Sequence, residues 1–278
     1  MAAYLAAAGQ HEIALCVRQR FEELVVTTDT GVIASRPQQF CEPSTAPSVD
    51  WVLLATKAYA TADAAAWLPR LTATGAPVAV LQNGIEQRER LAALVEPHRL
   101  LPAIIDLPAE RTAPGLIRQR GQRLITVEDS ALGRSFAALF QGTPLTVTLT
   151  SDFKSAAWRK LCLNAAGVIN AILLQPARIL HDEAVAEAAR EIVRECVAVG
   201  RAEGAVLSDE LPDQIVAGQR AAPPEAVNSL HADRRGGRPL ELDARNGVIV
   251  RLGRKHGIPT PANQQAVALL AAMTAPGP

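Results

Sequence analysis

The amino-acid sequence predicts a two-part chain, an α/β half built on a mostly parallel sheet followed by an all-helical half. Residues 1 to about 150 alternate short β-branched runs with helical or polar segments, the pattern of strands joined by crossover helices. From Ser151 the texture changes to alanine- and leucine-rich amphipathic segments. With 278 residues, 49% of them hydrophobic and 20% charged, the chain can fill a core in each half. The expected division is 1–151 for the α/β domain and 152–278 for the helical domain.

Taken in order, Ile13 to Arg18 reads as a strand, Trp51 to Thr56 as a buried strand and Ala62 to Leu71 as a helix. Pro77 to Gln82 is the next strand and Glu86 to Val95 the next helix. The runs Leu100 to Ile105, Gly115 to Arg120, Arg123 to Val127 and Leu145 to Thr150, with a helix around Leu132 to Phe140, suggest an antiparallel extension at the sheet's far edge. The second half reads as helices over 152–174, 182–204, 209–221, 225–235, 239–257 and 260–274. Asp182 and Asp209 stand where N-caps belong, Gly204 where a helix stops, and Pro223-Pro224 separates two helices.

Composition excludes several functions. The 28 basic and 28 acidic residues cancel, and only 4% of residues are aromatic, so nucleic acid is not the expected partner. No apolar run approaches the roughly 20 residues that cross a membrane. The N-terminal alanine-rich stretch lacks the basic flank of a secretory signal. Cys16, Cys41, Cys162 and Cys196 are scattered without a C-x-x-C pair, which reads as packing residues in a reducing cytoplasm rather than a metal site or disulfide framework. His231 and His256 read as exposed helix residues, and no histidine pair has metal spacing.

A small-molecule site is the remaining expectation, and a few polar residues mark it. Lys160 is one of only four lysines, is flanked by Trp158 and Leu161, and lies four residues before Asn164, so on a helix the ammonium and the amide share a face. A lysine that gives up a proton cannot be replaced by arginine. Two adjacent strands end in Lys57 and in Gln82-Asn83-Gly84, at the carboxyl edge where open α/β sheets bind ligands; turn residues are the alternative reading. Arg18 closes the first strand, where a dinucleotide domain carries an acid for a ribose or an arginine for a 2′-phosphate; a solvated arginine is the alternative.

In order and spacing these elements resemble the ketopantoate reductases (2-dehydropantoate 2-reductases). The resemblance rests on Lys57-Ala58, Gln82-Asn83-Gly84, Ala113-Pro114-Gly115, Trp158-x-Lys160-x-x-x-Asn164 and Ser229-x-x-x-Asp233. It continues through Gly237-Arg238-Pro239, Glu241-x-Asp243, Asn246-Gly247 and Gly257-Ile258-Pro259-Thr260-Pro261-x-Asn263. It spans nearly the whole chain. It implies a Rossmann-type domain for NADPH, an all-helical domain, and ketopantoate bound in the cleft between them.

Carried over residue by residue, Lys160 would be the general acid that protonates the nascent alkoxide. Asn83 and Asn164 would orient substrate and nicotinamide, Ser229 would hold the substrate carboxylate, and Glu241 would bind the substrate hydroxyl and help place Lys160. Arg18 and Lys57 would sit near the adenosine phosphate and ribose. The competing structural readings pair Glu241 with Arg238 or Arg245 and make Ser229 a local cap. A β-hydroxyacid dehydrogenase shares the two-domain plan and a helix-borne lysine with a nearby asparagine, but Glu241 and the Gly-Ile-Pro-Thr-Pro run argue against it. The alanine-rich helices after residue 182 are compatible with a homodimer.

The chain departs from the family's pattern at its start. It carries no Gly-x-Gly-x-x-Gly turn and no strand before Tyr4-Leu-Ala-Ala-Ala-Gly9, which aligns with the family's first helix. The expectation is a start downstream of the natural one; a shortened form and a non-catalytic variant that has lost its cofactor are the alternatives. Leu230, Leu240, Arg234-Arg235-Gly236 and Ile105 to Arg111 also differ from the family pattern, which widens the expected substrate from ketopantoate to a related 2-keto acid.

Overall fold

The computed structural model describes residues 1–274 and divides into two compact units: Met1–Gln82 with Glu86–Phe153, and Asn83–Ile85 with Lys154 onward. The first unit is α/β and the second is helical.

In the first unit the helices are α1 (Ala2–Ala8), α2 (Thr61–Ala65), α3 (Leu68–Leu71), α4 (Gln87–Leu91) and α5 (Ala131–Ala138). The strands are β1 (Ala14–Cys16), β2 (Leu24–Thr28), β3 (Gly31–Ser35), β4 (Gln38–Phe40), β5 (Val52–Leu54), β6 (Val78–Val80), β7 (Leu100–Asp106), β8 (Ala109–Ala113), β9 (Leu116–Gln119), β10 (Leu124–Glu128) and β11 (Thr146–Thr150). The main sheet runs β11-β10-β7-β6-β5, and β5, β6 and β7 are mutually parallel. β10 then reverses direction against β7 and β11 follows it in parallel, which is the antiparallel extension expected at that edge. Val78, Ala79 and Val80 are all buried, as a strand covered on both faces requires.

Two features depart from the sequence reading. The Gly115–Arg120 run does not join the main sheet. It forms β9 of a separate four-stranded sheet, β3-β2-β9-β8, whose β2–β3 hairpin carries no strong alternation signal in the sequence. Gly115 makes the β8–β9 turn possible: its φ is +76°, and a Cβ there would lie 2.4 Å from the Glu23 carbonyl. The strand at Ile13 is also shorter than expected, pairing only with β4 in a two-stranded parallel sheet. Among the described residues no strand joins β1 to β5.

The helical unit contains α6 (Phe153–Ala166), α7 (Val168–Leu173), α8 (Glu183–Ala202), α9 (Leu211–Arg220), α10 (Ser229–Arg235), a π-turn (Asp243–Gly247), α11 (Val248–His256) and α12 (Pro261–Thr274). The 152–174 segment breaks at Gly167, where a Cβ would stand 2.8 Å from the Asn228 amide nitrogen. Asp182 caps α8 by accepting from the Ala184 and Val185 amides, as its position predicts. Asp209 does not cap: α9 begins two residues later, and Asp209 pairs with Arg201 instead. The buried face of α6, Trp158, Leu161, Cys162 and Ala165, belongs to one core cluster with Ile192, Val193 and Cys196 of α8. Gly200 of α8 leaves room for the Trp158 ring, whose nearest atom would be 2.8 Å from a Cβ placed there.

The cysteines divide. Cys162 and Cys196 are buried neighbours, and burial pushes the Cys196 thiol well above its usual range, so these two are packing residues. Cys16 and Cys41 are exposed, because β1 and β4 are edge strands with little covering them. His231 is buried, 3% exposed, rather than on a solvated face; desolvation and the nearby Arg235 and Arg234 hold its imidazole below the ordinary histidine value. His256 is exposed and meets Glu203.

Candidate active site

The best-defined chemistry lies in the helical unit. Burial of the Trp158–Leu161–Cys162–Ala165 stripe fixes the rotation of α6, and Lys160 and Asn164 then emerge four residues apart on its half-exposed flank. Asn228 fixes the next element. Its side-chain oxygen caps α10 by accepting from the His231 amide at 2.9 Å, while its nitrogen donates to the Gly167 carbonyl, also at 2.9 Å. The start of α10 is thereby tied to the end of α6. Ser229, one residue on, is exposed and is not the cap, so the capping reading of Ser229 gives way to Asn228.

Asp233, four residues after Ser229, closes the other end of α10. Its carboxylate accepts from Arg238 Nε at 2.8 Å, and Arg238 Nη2 donates to the Ala232 carbonyl at 3.0 Å. Gly237, at φ +61°, lets the chain double back to make this clamp. The basic Arg234 is likewise structural: it donates to the Ala171 and Ile172 carbonyls at the end of α7. Glu241 follows the clamp and is only 5% exposed. Asn83 Nδ2 donates to Glu241 Oε2 at 3.0 Å, so Asn83–Ile85 brings a strand-end amide onto the helical unit's carboxylate.

The π-turn after Glu241 is held by buried amides. Asn246 Nδ2 donates to the Ala165 carbonyl of α6 at 3.2 Å and to Asn263 Oδ1 of α12 at 2.9 Å. Asn263 in turn donates to the Ile192 carbonyl at 3.0 Å and to Glu195 Oε2 at 2.7 Å, while Glu195 accepts the Ala262 and Asn263 backbone amides. Two motif asparagines therefore serve as struts joining α6, α8, α12 and the π-turn. A π-turn at such a place is a recurrent mark of functional sites.

In the α/β unit the strand ends are organised by Gln82, which is 4% exposed. Its amide nitrogen donates to Thr56 Oγ1 at 3.0 Å, Thr61 Oγ1 at 3.0 Å and the Lys57 carbonyl at 3.3 Å. Gln82 thus pins the Lys57 turn, and within the Gln-Asn-Gly motif it is the structural member. Lys57 is half-buried, and Arg18 is exposed two residues beyond β1. The structure does not gather all seven marked residues into one unit: Lys160, Asn164, Ser229, Asn83 and Glu241 fall in the helical unit, Arg18 and Lys57 in the α/β unit. Among the described residues no histidine, cysteine or carboxylate cluster suits a metal.

Sequence reading gave one residue too little weight. Arg245, in the π-turn, is 3% exposed, and its Nε is a buried donor without a hydrogen-bond partner. Burial lowers its guanidinium to about 10, against the opposing pull of Glu241 and then Asp233. The signal available in the sequence was its spacing, four residues after Glu241.

Comparison with known proteins gives one consistent result. The family model described as "Ketopantoate reductase PanE/ApbA" matches residues 1–131, and that described as "Ketopantoate reductase PanE/ApbA C terminal" matches residues 152–274. A 2-dehydropantoate 2-reductase of Caulobacter vibrioides is 52% identical over 270 residues, covering 97% of this chain and 93% of the relative. The Mycobacterium tuberculosis protein of the same name is 40% identical over 242 residues, covering 87% and 80%. Among solved structures, a PanE/ApbA family ketopantoate reductase from Ralstonia eutropha JMP134 superposes with a TM-score of 0.89 at 31% identity, covering 98% of this chain and 93% of that one.

Proposed function

The chain belongs to the ketopantoate reductase family, and from that premise we propose that it reduces a small 2-keto acid, ketopantoate or a close relative, to the 2-hydroxy acid with NADPH. The observation that supports this reading is the 3.0 Å hydrogen bond from Asn83 to the buried Glu241, an amide and a carboxylate paired as suits the hydroxyl end of a small substrate. The Lys160–Asn164 face of α6 supplies the complementary cation and amide.

In this reading the residues act as follows. Ser229 and Asn164 bind the substrate carboxylate and carbonyl region, and Glu241 accepts a hydrogen bond from the substrate hydroxyl. Lys160 directs Nζ at the ketone oxygen, stabilises the negative charge that builds there and donates its proton to form the alcohol. Trp158 and Leu161, buried beside it, limit the water that competes for that ammonium. NADPH, when bound, supplies the hydride to the ketone carbon. Arg18 and Lys57 suit the adenosine 2′-phosphate and ribose, since an exposed guanidinium past a parallel strand is the donor such a phosphate takes. Asn83 suits the nicotinamide side. Residues 1–278 contain no Gly-x-Gly-x-x-Gly run.

Residues 1–151 would then hold the cofactor and 152–278 the substrate and catalytic groups, in a cytoplasmic homodimer. The exposed free thiols of Cys16 and Cys41 suit a reducing compartment, and no described helix is long and apolar enough to cross a membrane. A panel of 2-keto acids assayed by loss of NADPH absorbance tests the reading. Turnover of ketopantoate or a branched 2-keto acid with NADPH is the expected result. No turnover of any member, together with no NADPH binding by calorimetry, points to the non-catalytic alternative.

A further inference from the structure

Asn228 stands between the two elements that carry most of the proposed substrate groups, α6 with Lys160 and Asn164, and α10 with Ser229 as its first residue. One short side chain serves both. Its Oδ1 accepts from the His231 amide at 2.9 Å and caps α10, and its Nδ2 donates to the Gly167 carbonyl at 2.9 Å. The partners fix which end is which, because a backbone carbonyl cannot donate and a backbone amide cannot accept. Serine or threonine would also cap a helix at this position. Neither makes the second bond, since a hydroxyl on the first side-chain carbon is shorter by one atom and cannot face both partners.

The Gly167 carbonyl needs that donor. α6 ends at Ala166 and α7 begins at Val168, and at this buried break the bond from the Ala171 amide to the Gly167 carbonyl is stretched to 3.4 Å. A buried carbonyl so weakly held by its own helix takes its partner from elsewhere. Glycine leaves the space for it: a Cβ on residue 167 would lie 2.8 Å from Asn228 Nδ2 and 3.3 Å from the Asn164 carbonyl oxygen. Gly167 and Asn228 thus form one fitted pair, 61 positions apart.

The rest of α10 is held by other contacts. Arg234 donates to the Ala171 and Ile172 carbonyls of α7, Arg238 clamps Asp233 at 2.8 Å, and Leu230 lies in the core that it shares with Leu161 and Ala165 of α6. These contacts fix the helix axis. Ser229 is exposed, so packing does not hold its side chain, and the placing of this first residue is left to Asn228.

We propose that Asn228 is a positioning residue for the keto-acid site: its bridge to Gly167 sets Ser229 at a fixed reach from the Lys160–Asn164 face of α6, so that both sides engage one substrate. The proposal rests on the reading of Ser229 and Asn164 as substrate ligands. With the bridge gone, the start of α10 would have to be ordered at each binding event, which weakens substrate binding. Proton delivery by Lys160 to substrate already bound would be unaffected.

Steady-state kinetics of the full chain with NADPH and a 2-keto acid tests this. Asn228→Ser and Asn228→Thr keep a cap and lose the bridge. Each should raise KM for the keto acid about tenfold, the size of one hydrogen bond to a charged group, with kcat and the NADPH dissociation constant within about twofold of wild type. A merely structural role behaves otherwise, because a smaller folded fraction lowers kcat and leaves KM alone. In a Ser229→Ala background the same substitutions should add less than about twofold to KM, since the group being positioned is gone. If both variants prove unfolded by circular dichroism, Gly167→Ala, whose methyl pushes the Asn228 amide off the carbonyl, carries the same comparison. An unchanged KM in Asn228→Ser, a fall in kcat at constant KM, or full additivity with Ser229→Ala overturns the proposal alone. A wild-type protein that reduces no 2-keto acid overturns the reading of Ser229 as a substrate ligand, and this proposal with it.

Discussion

In the helical unit Asn263 is completely buried and directs its amide to Ile192, Glu195 and Asn246, whereas in the α/β unit Arg18 stands exposed beyond a strand of three residues. The core of the helical unit is one continuous cluster running from α6 to α12; the described core of the α/β unit falls into three clusters, and its strands into three sheets. The difference teaches where geometry is stored. In the proposed reading, groups that must meet a reacting centre to within a fraction of an ångström would be held by buried polar struts, which permit one arrangement only. Groups that would meet a cofactor phosphate act through charge and tolerate a looser support.

That contrast can be broken most severely at Lys160. Lys160→Ala should lower kcat by about a thousandfold, within the range expected for removing a positioned general acid, while NADPH affinity stays within about twofold in calorimetry. Unchanged turnover would remove Lys160 from the acid role. The next largest effect is on stability. Asn263→Leu removes the acceptor for one Asn246 donor and the amide donations to the Ile192 carbonyl and Glu195, and should cost about 3 kcal/mol from buried groups left short of partners, read as a lower denaturant midpoint. A midpoint equal to wild type would show that the struts are not what holds the π-turn. Smaller still is the effect at the strand end. Arg18→Glu should weaken NADPH binding by about ten- to a hundredfold, the range of one charge-assisted hydrogen bond, and leave NADH binding almost unchanged. Equal weakening of both cofactors would mean that Arg18 does not meet the 2′-phosphate.

Much of this was legible in the residue order, for identifiable reasons. The helices from 182 onward announce themselves through long 3.6-residue periodicity and caps such as Asp182. Buried parallel strands such as Val78–Val80 announce themselves through unbroken β-branched and small apolar runs. The β2–β3 hairpin did not, because β3 lies at a half-solvated edge where alternation is weak and pairing with β9 supplies the order of β2. Asp209 and Asp182 look alike as caps, and only the position of Arg201 decides that Asp209 is an ion-pair partner. Within the site, spacing alone put Lys160 and Asn164 on one face. Distant pairings were invisible: nothing local to Asn83 indicates Glu241, 158 positions away.

The sequence by itself determined the two-part architecture, the face of α6 that carries the lysine and the family to which the chain belongs, because these depend on periodicity and on motif order along the chain. The tertiary structure alone decided which polar residues are buried struts. Asn246, Asn263, Gln82 and Asp233 look as reactive in one dimension as Asn164 and Ser229. Folding separates them, because a buried amide or carboxylate must direct its hydrogen bonds inward, and only packing fixes which side chains end there. Arg245 makes the same point: it is only 3% exposed, and enclosure is a property of the folded chain.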